Sequence, residues 1–304
     1  MKRWWMALWL IGYGVMKTNA QFYFYNDRYY AGNFVLEGGC SGGVMNSLTD
    51  LGGRKGNGRT FLKDLNWSVS RPSYSVFLTG ILKEIIGIRI EFTTGNISSY
   101  DSLLKSPQSD PTQRYGRNLG FRTPISEIQF TTEFYPFSFK QIKEDNISFW
   151  YPYVIAGIGY FWFNPQALLS GRWYDLKPLR LEGQGFPEYS KHKTYQLQQI
   201  NIPVGFGVKY ELSACLNTRL EILHRLLFTD YLDDVSTVYI DPALFDKYLS
   251  PGQAQLAKQL YCRIRNLPPG SNIHEGTARG DYKHNDAFFT IQLKISWVFR
   301  ERIK

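Results

Sequence analysis

Cysteine is scarce. The chain has three, Cys40, Cys215 and Cys262, far apart and odd in number. A small exported domain held by disulfides carries more of them, evenly paired. No Cys-x-x-Cys or Cys/His spacing marks a zinc site, so these side chains read as small apolar residues. Long apolar runs are missing too. Outside the first 20 residues none approaches the ~20 residues of a spanning helix, which excludes a multi-helix membrane protein and leaves strands as the means of crossing a bilayer. Charged residues are only 20% of the chain, and there are four histidines, His192, His224, His274 and His284. Three lie on long loops and His224 lies on a strand near no recognisable Ser or Asp partner, whereas a hydrolase needs a nucleophile or activated water beside a base. Ser41, within Gly39-Cys40-Ser41-Gly42-Gly43, superficially suggests a nucleophile turn, but glycines alternating inside a strand point to close packing. The expectation is a non-enzymatic protein with no cofactor, metal or small-molecule substrate.

What is abundant is aromatic. Eight Trp, 21 Tyr and 21 Phe make up 16% of the 304 residues, and 43% are hydrophobic. That density excludes a disordered chain and suggests a lipid interface. The N-terminus reads as an export signal: Lys2 and Arg3, an apolar stretch from Trp4 to Met16, then Thr18-Asn19-Ala20 with cleavage expected between Ala20 and Gln21. No Cys follows the cut, so a lipoprotein is not expected. Removing residues 1–20 lowers the formal charge from +9 to +6, and a mildly basic exported protein needs no nucleic-acid partner.

The remainder alternates. From Ala287 the odd positions run Ala287, Phe289, Ile291, Leu293, Ile295, Trp297, Phe299, while the even ones are mostly polar. Successive strand side chains point to opposite faces, so about 13 residues here exceed the ~9–11 of a tilted membrane strand. Ile200 to Leu212 repeats the pattern, as do Ile86 to Thr93, Glu127 to Phe134 and Arg219 to Phe228, with His224 interrupting the apolar face of the last. Phe34 to Val44 and Ser73 to Thr79 alternate more weakly. Tyr153 to Phe163 is apolar on both faces and its register stays open. These are eight strands. Their connections alternate in length: short at Lys83-Glu84 and Leu212–Asn217, moderate at Pro136–Trp150, and long at Asn46–Arg71, Gly95–Asn118, Asn164–Tyr195 and Asp230–Asn285. Outer-membrane barrels have short periplasmic turns and long outer loops, which places both termini in the periplasm. The fold expected is all-β: an eight-stranded antiparallel up-and-down transmembrane barrel over 33–301, after a signal peptide (1–20) and a periplasmic segment (21–32), and before a periplasmic tail (302–304). The soluble alternative, a lipocalin-like barrel, turns its apolar face inward.

With the apolar face on lipid, Glu37, Glu91, Glu127, Glu133, Glu211 and Glu221 point into the bore, opposed by Arg89, Lys209, Arg219, Arg225 and Lys294. The signs nearly balance. An eight-stranded bore is just wide enough for side chains to fill, and paired charges in it form a buried network. A structural plug is the expectation; a small ion pore or a catalytic carboxylate pair is the functional alternative.

Three loop features remain. Asp230, Asp233 and Asp234 lack the spacing and glycine of a calcium loop and read as loop-folding residues. Asn96-Ile97-Ser98 and Asn146-Ile147-Ser148 match the glycosylation pattern, which means little in a bacterial barrel. Leu244, Phe245, Tyr248 and Leu249, then Ala254, Ala257, Leu260 and Tyr261, have helical spacing around Pro251-Gly252 and predict two short helices capping the outer mouth.

Leu65-Asn66-Trp67 with Arg71-Pro72, the run Tyr153–Ala167, Glu182-Gly183-Gln184-Gly185, Asn201-Ile202-Pro203-Val204-Gly205 and Asp230–Ser236 together resemble PorG-like proteins, outer-membrane barrels of the Bacteroidota. The resemblance covers nearly all of the mature chain. It implies an eight-stranded barrel similar to OmpA's membrane domain and a non-enzymatic part of the type IX secretion machinery contacting the periplasmic ring proteins PorK and PorN. Phe299 is followed by Arg300-Glu301-Arg302-Ile303-Lys304, whereas many barrels end on an aromatic residue. A surface binding or adhesion barrel and a small pore are the competing readings.

Overall fold

The computed structural model describes residues 34–51, 67–104, 117–138, 150–213, 215–264 and 275–299. The expected signal peptide, its cleavage at Ala20–Gln21, the segment 21–32 and the tail 302–304 lie outside the described residues. Eight long strands, β1 (Phe34–Leu48), β2 (Arg71–Leu82), β3 (Ile86–Tyr100), β4 (Gly120–Phe134), β5 (Trp150–Phe163), β8 (Gln198–Ser213), β9 (Leu216–Leu227) and β10 (Ala287–Phe299), pair antiparallel, each with its neighbours in sequence. Pairing of β1 with β10, Leu36 opposite Phe299 to Leu48 opposite Ala287, closes the sheet into a barrel. Closure removes the unpaired edges that apolar surroundings would penalise.

The faces divide by chemistry. Val76, Ile88, Phe130, Ile158, Phe206, Leu220 and Leu293 are exposed on the outer wall, while Glu37, Arg89, Glu127, Arg219 and Lys294 are fully buried within. The lipocalin arrangement, apolar side inward, is therefore not the one adopted. The open register of β5 is decided in favour of odd positions inward: Tyr151, Tyr153, Ile155, Phe161 and Phe163 are buried, and Trp150, Val154, Ile158 and Tyr160 are exposed. Both faces are apolar because the inner one supplies aromatic packing to the bore. Phe289 departs from its outward neighbours, since Trp67 covers it edge-on with ring centroids 6.3 Å apart.

At the tightest part of the wall β1 carries glycine on its inner face. A Cβ at Gly39 or Gly43 would run into the backbone carbonyls of Ile295 or Ile291, so glycine lets β1 coil against β10. At the short-turn end, Lys83 and Glu84 both take positive φ (49° and 56°), and Ile85 N–H donates to Leu82 C=O at 3.0 Å. Such paired left-handed residues match the twist of a hairpin.

The long loops gather at the opposite end and build a crown. A hairpin of β6 (Gln166–Leu169) and β7 (Arg172–Asp175), which the sequence pattern did not announce, extends from β4 through Arg122 opposite Gln166. The two expected helices are α1 (Ala243–Tyr248) and α2 (Pro251–Leu260), the second opened by a reciprocal Ser250–Gln253 capping box. Phe245, Ala254, Ala257 and Leu260 pack with Leu176, Leu179, Leu181 and Phe186 into a core of their own. Beneath it Leu232 and Val235 insert among Phe121, Phe161, Phe163 and Phe288, stopping the bore from above. Tyr135, Tyr151, Tyr153 and Val298 line its other end.

Candidate functional site within and above the bore

Inward alternation brings all the expected bore charges into one buried set. Arg219 Nη2 lies 2.5 Å from Glu37, whose carboxylate also accepts from Asn217 Nδ2 (2.9 Å) and Ser296 Oγ (3.0 Å). Lys209 stands between Glu37 (3.7 Å) and Glu211 (3.6 Å). In the middle, Arg89 contacts Glu221 at 2.6 Å, Glu91 at 3.3 Å, and Glu133. Lys294 bridges Glu91 (2.5 Å) and Glu221 (3.2 Å). Next to Phe288, Arg225 pairs with Glu127 at 3.0 Å and donates to Thr290 Oγ1 at 2.5 Å. No cation of the set stands alone, as a water-poor interior requires.

Aromatic side chains that the alternation did not single out complete this network. Phe77 sits at its centre: Arg89, Arg219 and Lys294 lie 5.2, 5.4 and 5.2 Å from its ring centroid. Three cations about one ring draw on its quadrupole. Tyr153 donates its hydroxyl to Glu221 at 2.7 Å, and Tyr135 donates to Glu133. The available signal for Phe77 was an aromatic interrupting the inward row Ser73, Ser75, Thr79. Ser75 donates to Glu91 at 2.6 Å and contacts Ser41 Oγ at 2.5 Å, so Ser41 belongs to the wall's hydrogen bonding.

A second polar cluster sits above. The Asp230–Ser236 segment enters the mouth, where Asp233 accepts from the backbone N–H of Leu51 (3.1 Å) and Val235 (2.9 Å). Asp286 accepts from Leu232 N–H at 2.8 Å, and Tyr195 donates to Asp234 at 2.7 Å. Glu182 ties two loops together: it accepts from Ser236 N–H (2.9 Å), Thr237 N–H (2.9 Å) and Thr237 Oγ1 (2.7 Å), and pairs with Arg279 at 2.8 Å. Arg117 joins Asp101 (2.8 Å) to the carbonyls of Asp50 and Arg279. These carboxylates cap backbone donors, and among the described residues no acidic, His or Cys group has a metal-holding arrangement. Burial raises the pKa of Asp230 to about 9, of Asp233 to about 8 and of Asp234 to about 7. Neighbouring carboxylates add to the shift at Asp230 and Asp233, whereas Arg279 and the Tyr195 hydroxyl oppose it at Asp234.

The remaining candidates disperse. His192 Nδ1 meets the Glu182 carbonyl at 2.6 Å, His284 pairs with Asp281 at 3.0 Å, and His224 stays on the outer side of β9. Cys40, Cys215 and Cys262 are free thiols. His274 and Asn146–Ser148 lie outside the described residues.

The architecture and its charged interior define a closed eight-stranded barrel with an apolar outer wall. The chain belongs to the family DUF6089, described as a domain of unknown function, whose model matches residues 85–238. No curated protein sequence matches it. Among solved structures, the N-terminal β-barrel domain of Pseudomonas aeruginosa OprF is 8% identical with a TM-score of 0.34, covering 88% of this chain and 98% of that one. Neisserial surface protein A is 8% identical with a TM-score of 0.36, covering 88% and 98%. Ail, the attachment invasion locus protein of Yersinia pestis, is 7% identical with a TM-score of 0.35, covering 88% and 97%. The strand count rests on the pairing of this chain's own strands.

Proposed function

We propose that this protein is a non-enzymatic integral barrel of the outer membrane, with its short turns and termini in the periplasm and its crown outside, acting as a structural component of the type IX secretion machinery. The observation that carries the reading is the inversion of chemistry across the wall: exposed Ile88, Phe130, Phe206 and Leu293 outside, fully buried Glu37, Arg89, Arg219 and Lys294 inside. Only a lipid surrounding rewards an apolar exterior of this kind, and apolar surface in water is limited to small patches. A bore filled by ion pairs and stopped by Leu232 and Val235 supports a scaffold rather than a conduit. The secretion role rests on the resemblance to PorG-like proteins, and with it the partners, PorK/PorN-like ring proteins meeting the turns or the terminal segments.

Affinity purification from detergent extracts of the native envelope tests this, with ring proteins expected to co-purify and secretion expected to fail in a deletion strain. A deletion strain that secretes normally, with no ring protein recovered, would sink the secretion role. Planar bilayers holding the purified barrel are expected to stay silent, and steady conductance would overturn the filled-bore scaffold.

A further inference from the structure

The outer wall changes character where β4 leaves its apolar band. The outward row on β4 runs from Phe134 through Phe130 and Ile128 to Ser126, Pro124 and Arg122. From Phe134 to Arg122 the strand covers about 40 Å, which is about 30 Å along the barrel axis for strands tilted by ~40°. That lies just beyond the ~25 Å height of an apolar band. On the neighbouring strand Trp162, opposite Ser126, meets Tyr160 edge-on with centroids 5.0 Å apart. Such amphipathic rings settle at a membrane boundary, so Arg122 stands at the depth where headgroups begin.

The β6–β7 hairpin continues this face. Residues opposite one another share a face, which puts Gln166, Leu168, Trp173 and Asp175 on the side of Arg122. Together they fix its guanidinium. Asp175 Oδ1 accepts from Gln166 Nε2 (2.8 Å) and Asn164 Nδ2 (2.9 Å), which leaves the Gln166 carbonyl oxygen to accept from Arg122 Nη2 at 2.6 Å. The guanidinium lies 4.2 Å from the Trp173 ring centroid. Its Nε is buried by these contacts, whereas Nη1 has no hydrogen-bond partner and keeps accessible surface. Arg263 joins from the last long loop, donating from Nη1 to Leu168 C=O at 3.1 Å. Among the described residues no carboxylate reaches ion-pair distance of either guanidinium, and two cations against Asp175 leave the patch positive. A guanidinium held over a ring, with one nitrogen free and a lipid-facing wall directly below, suits a phosphate.

We propose that this patch docks on the outer leaflet of the membrane and takes the phosphate of an anionic lipid headgroup on Arg122 Nη1, with Arg263 as the second cation and Trp173 as the boundary ring. The proposal rests on the outer-membrane placement and is independent of the secretion role.

Native mass spectrometry of the full mature protein released from detergent tests it, with diphosphoryl lipid A, phosphatidylethanolamine and inorganic phosphate as probes. Retention of lipid A is expected, with phosphatidylethanolamine much weaker and free phosphate not retained. R122Q should weaken lipid A retention by about tenfold, and K247A, which removes a cation paired with Glu188, should leave it unchanged. Should R122Q lose the heat-dependent gel mobility of a folded barrel, R263Q should still weaken retention. No retention of lipid A, equal retention of phosphatidylethanolamine or of free phosphate, or a folded R122Q that behaves as wild type would overturn the site, as would equal weakening by K247A. Carbonate washing of the native envelope separates the site from the placement. A barrel that stays in washed membranes yet ignores lipid A refutes the headgroup site alone, and a barrel that washes out refutes both.

Discussion

At the scale of single residues the bore depends on reciprocity. Arg89 alone faces three carboxylates, those of Glu91, Glu133 and Glu221. Replacing it with methionine keeps the volume and leaves those anions short of a partner, at an expected cost of about 3–5 kcal/mol. Urea unfolding of the barrel in vesicles measures that cost, and a change near zero would show the network to be inert. Phe77→Ala should cost a similar amount, about 3–5 kcal/mol, because it opens a cavity and strips a ring from three cations. By contrast Lys247, exposed and paired with exposed Glu188, should tolerate alanine with no measurable shift of the unfolding midpoint.

At the scale of elements, the seam between β1 and β10 is the step that turns a sheet into a barrel. Gly39→Val places branched carbons where the Ile295 carbonyl already lies, so closure is expected to fail. Loss of the folded, heat-modifiable gel band would report it, and a normally folded variant would refute the steric account. The Lys83-Glu84 turn is the opposite case. Both residues hold positive φ, a conformation that Asn-Gly adopts with less strain. The double change K83N/E84G should therefore raise the unfolding midpoint.

At the scale of the whole molecule, the mouth is closed by carboxyls that keep their protons. Asp230, Asp233 and Asp234 have folded pKa values of about 9, 8 and 7, raised from 3.8. A folded pKa above the unfolded one means stability that is complete below about pH 4 and lost as pH climbs through the folded values. The crown should accordingly loosen between about pH 4 and pH 9, from the mouth outward, while the bore stays paired. Amide hydrogen exchange of 229–236, corrected for intrinsic rate, should accelerate toward pH 9, and D233N should flatten the dependence. A protection profile independent of pH would contradict the proton-holding mouth.

Alternation alone determined the eight strands, their mean boundaries, the alternating loop lengths and the sharing of one face by Glu37, Arg89, Glu91, Glu127, Glu133, Lys209, Glu211, Arg219, Glu221, Arg225 and Lys294, because a strand's two-residue period is a local property. The helices α1 and α2 were legible for the same reason, from their own period. The tertiary structure decided the rest. Whether the apolar side looks out or in, which way β5 turns when both its faces are apolar, and which anion each cation meets are all set by partners far away in the chain. Arg219 finds Glu37 across 182 positions, and Phe77 gains its place under three cations only when the wall has closed. The β6–β7 hairpin and the Glu182–Arg279 tie were hidden likewise, since a loop's conformation follows from the hydrogen bonds it makes with other loops rather than from any repeat of its own.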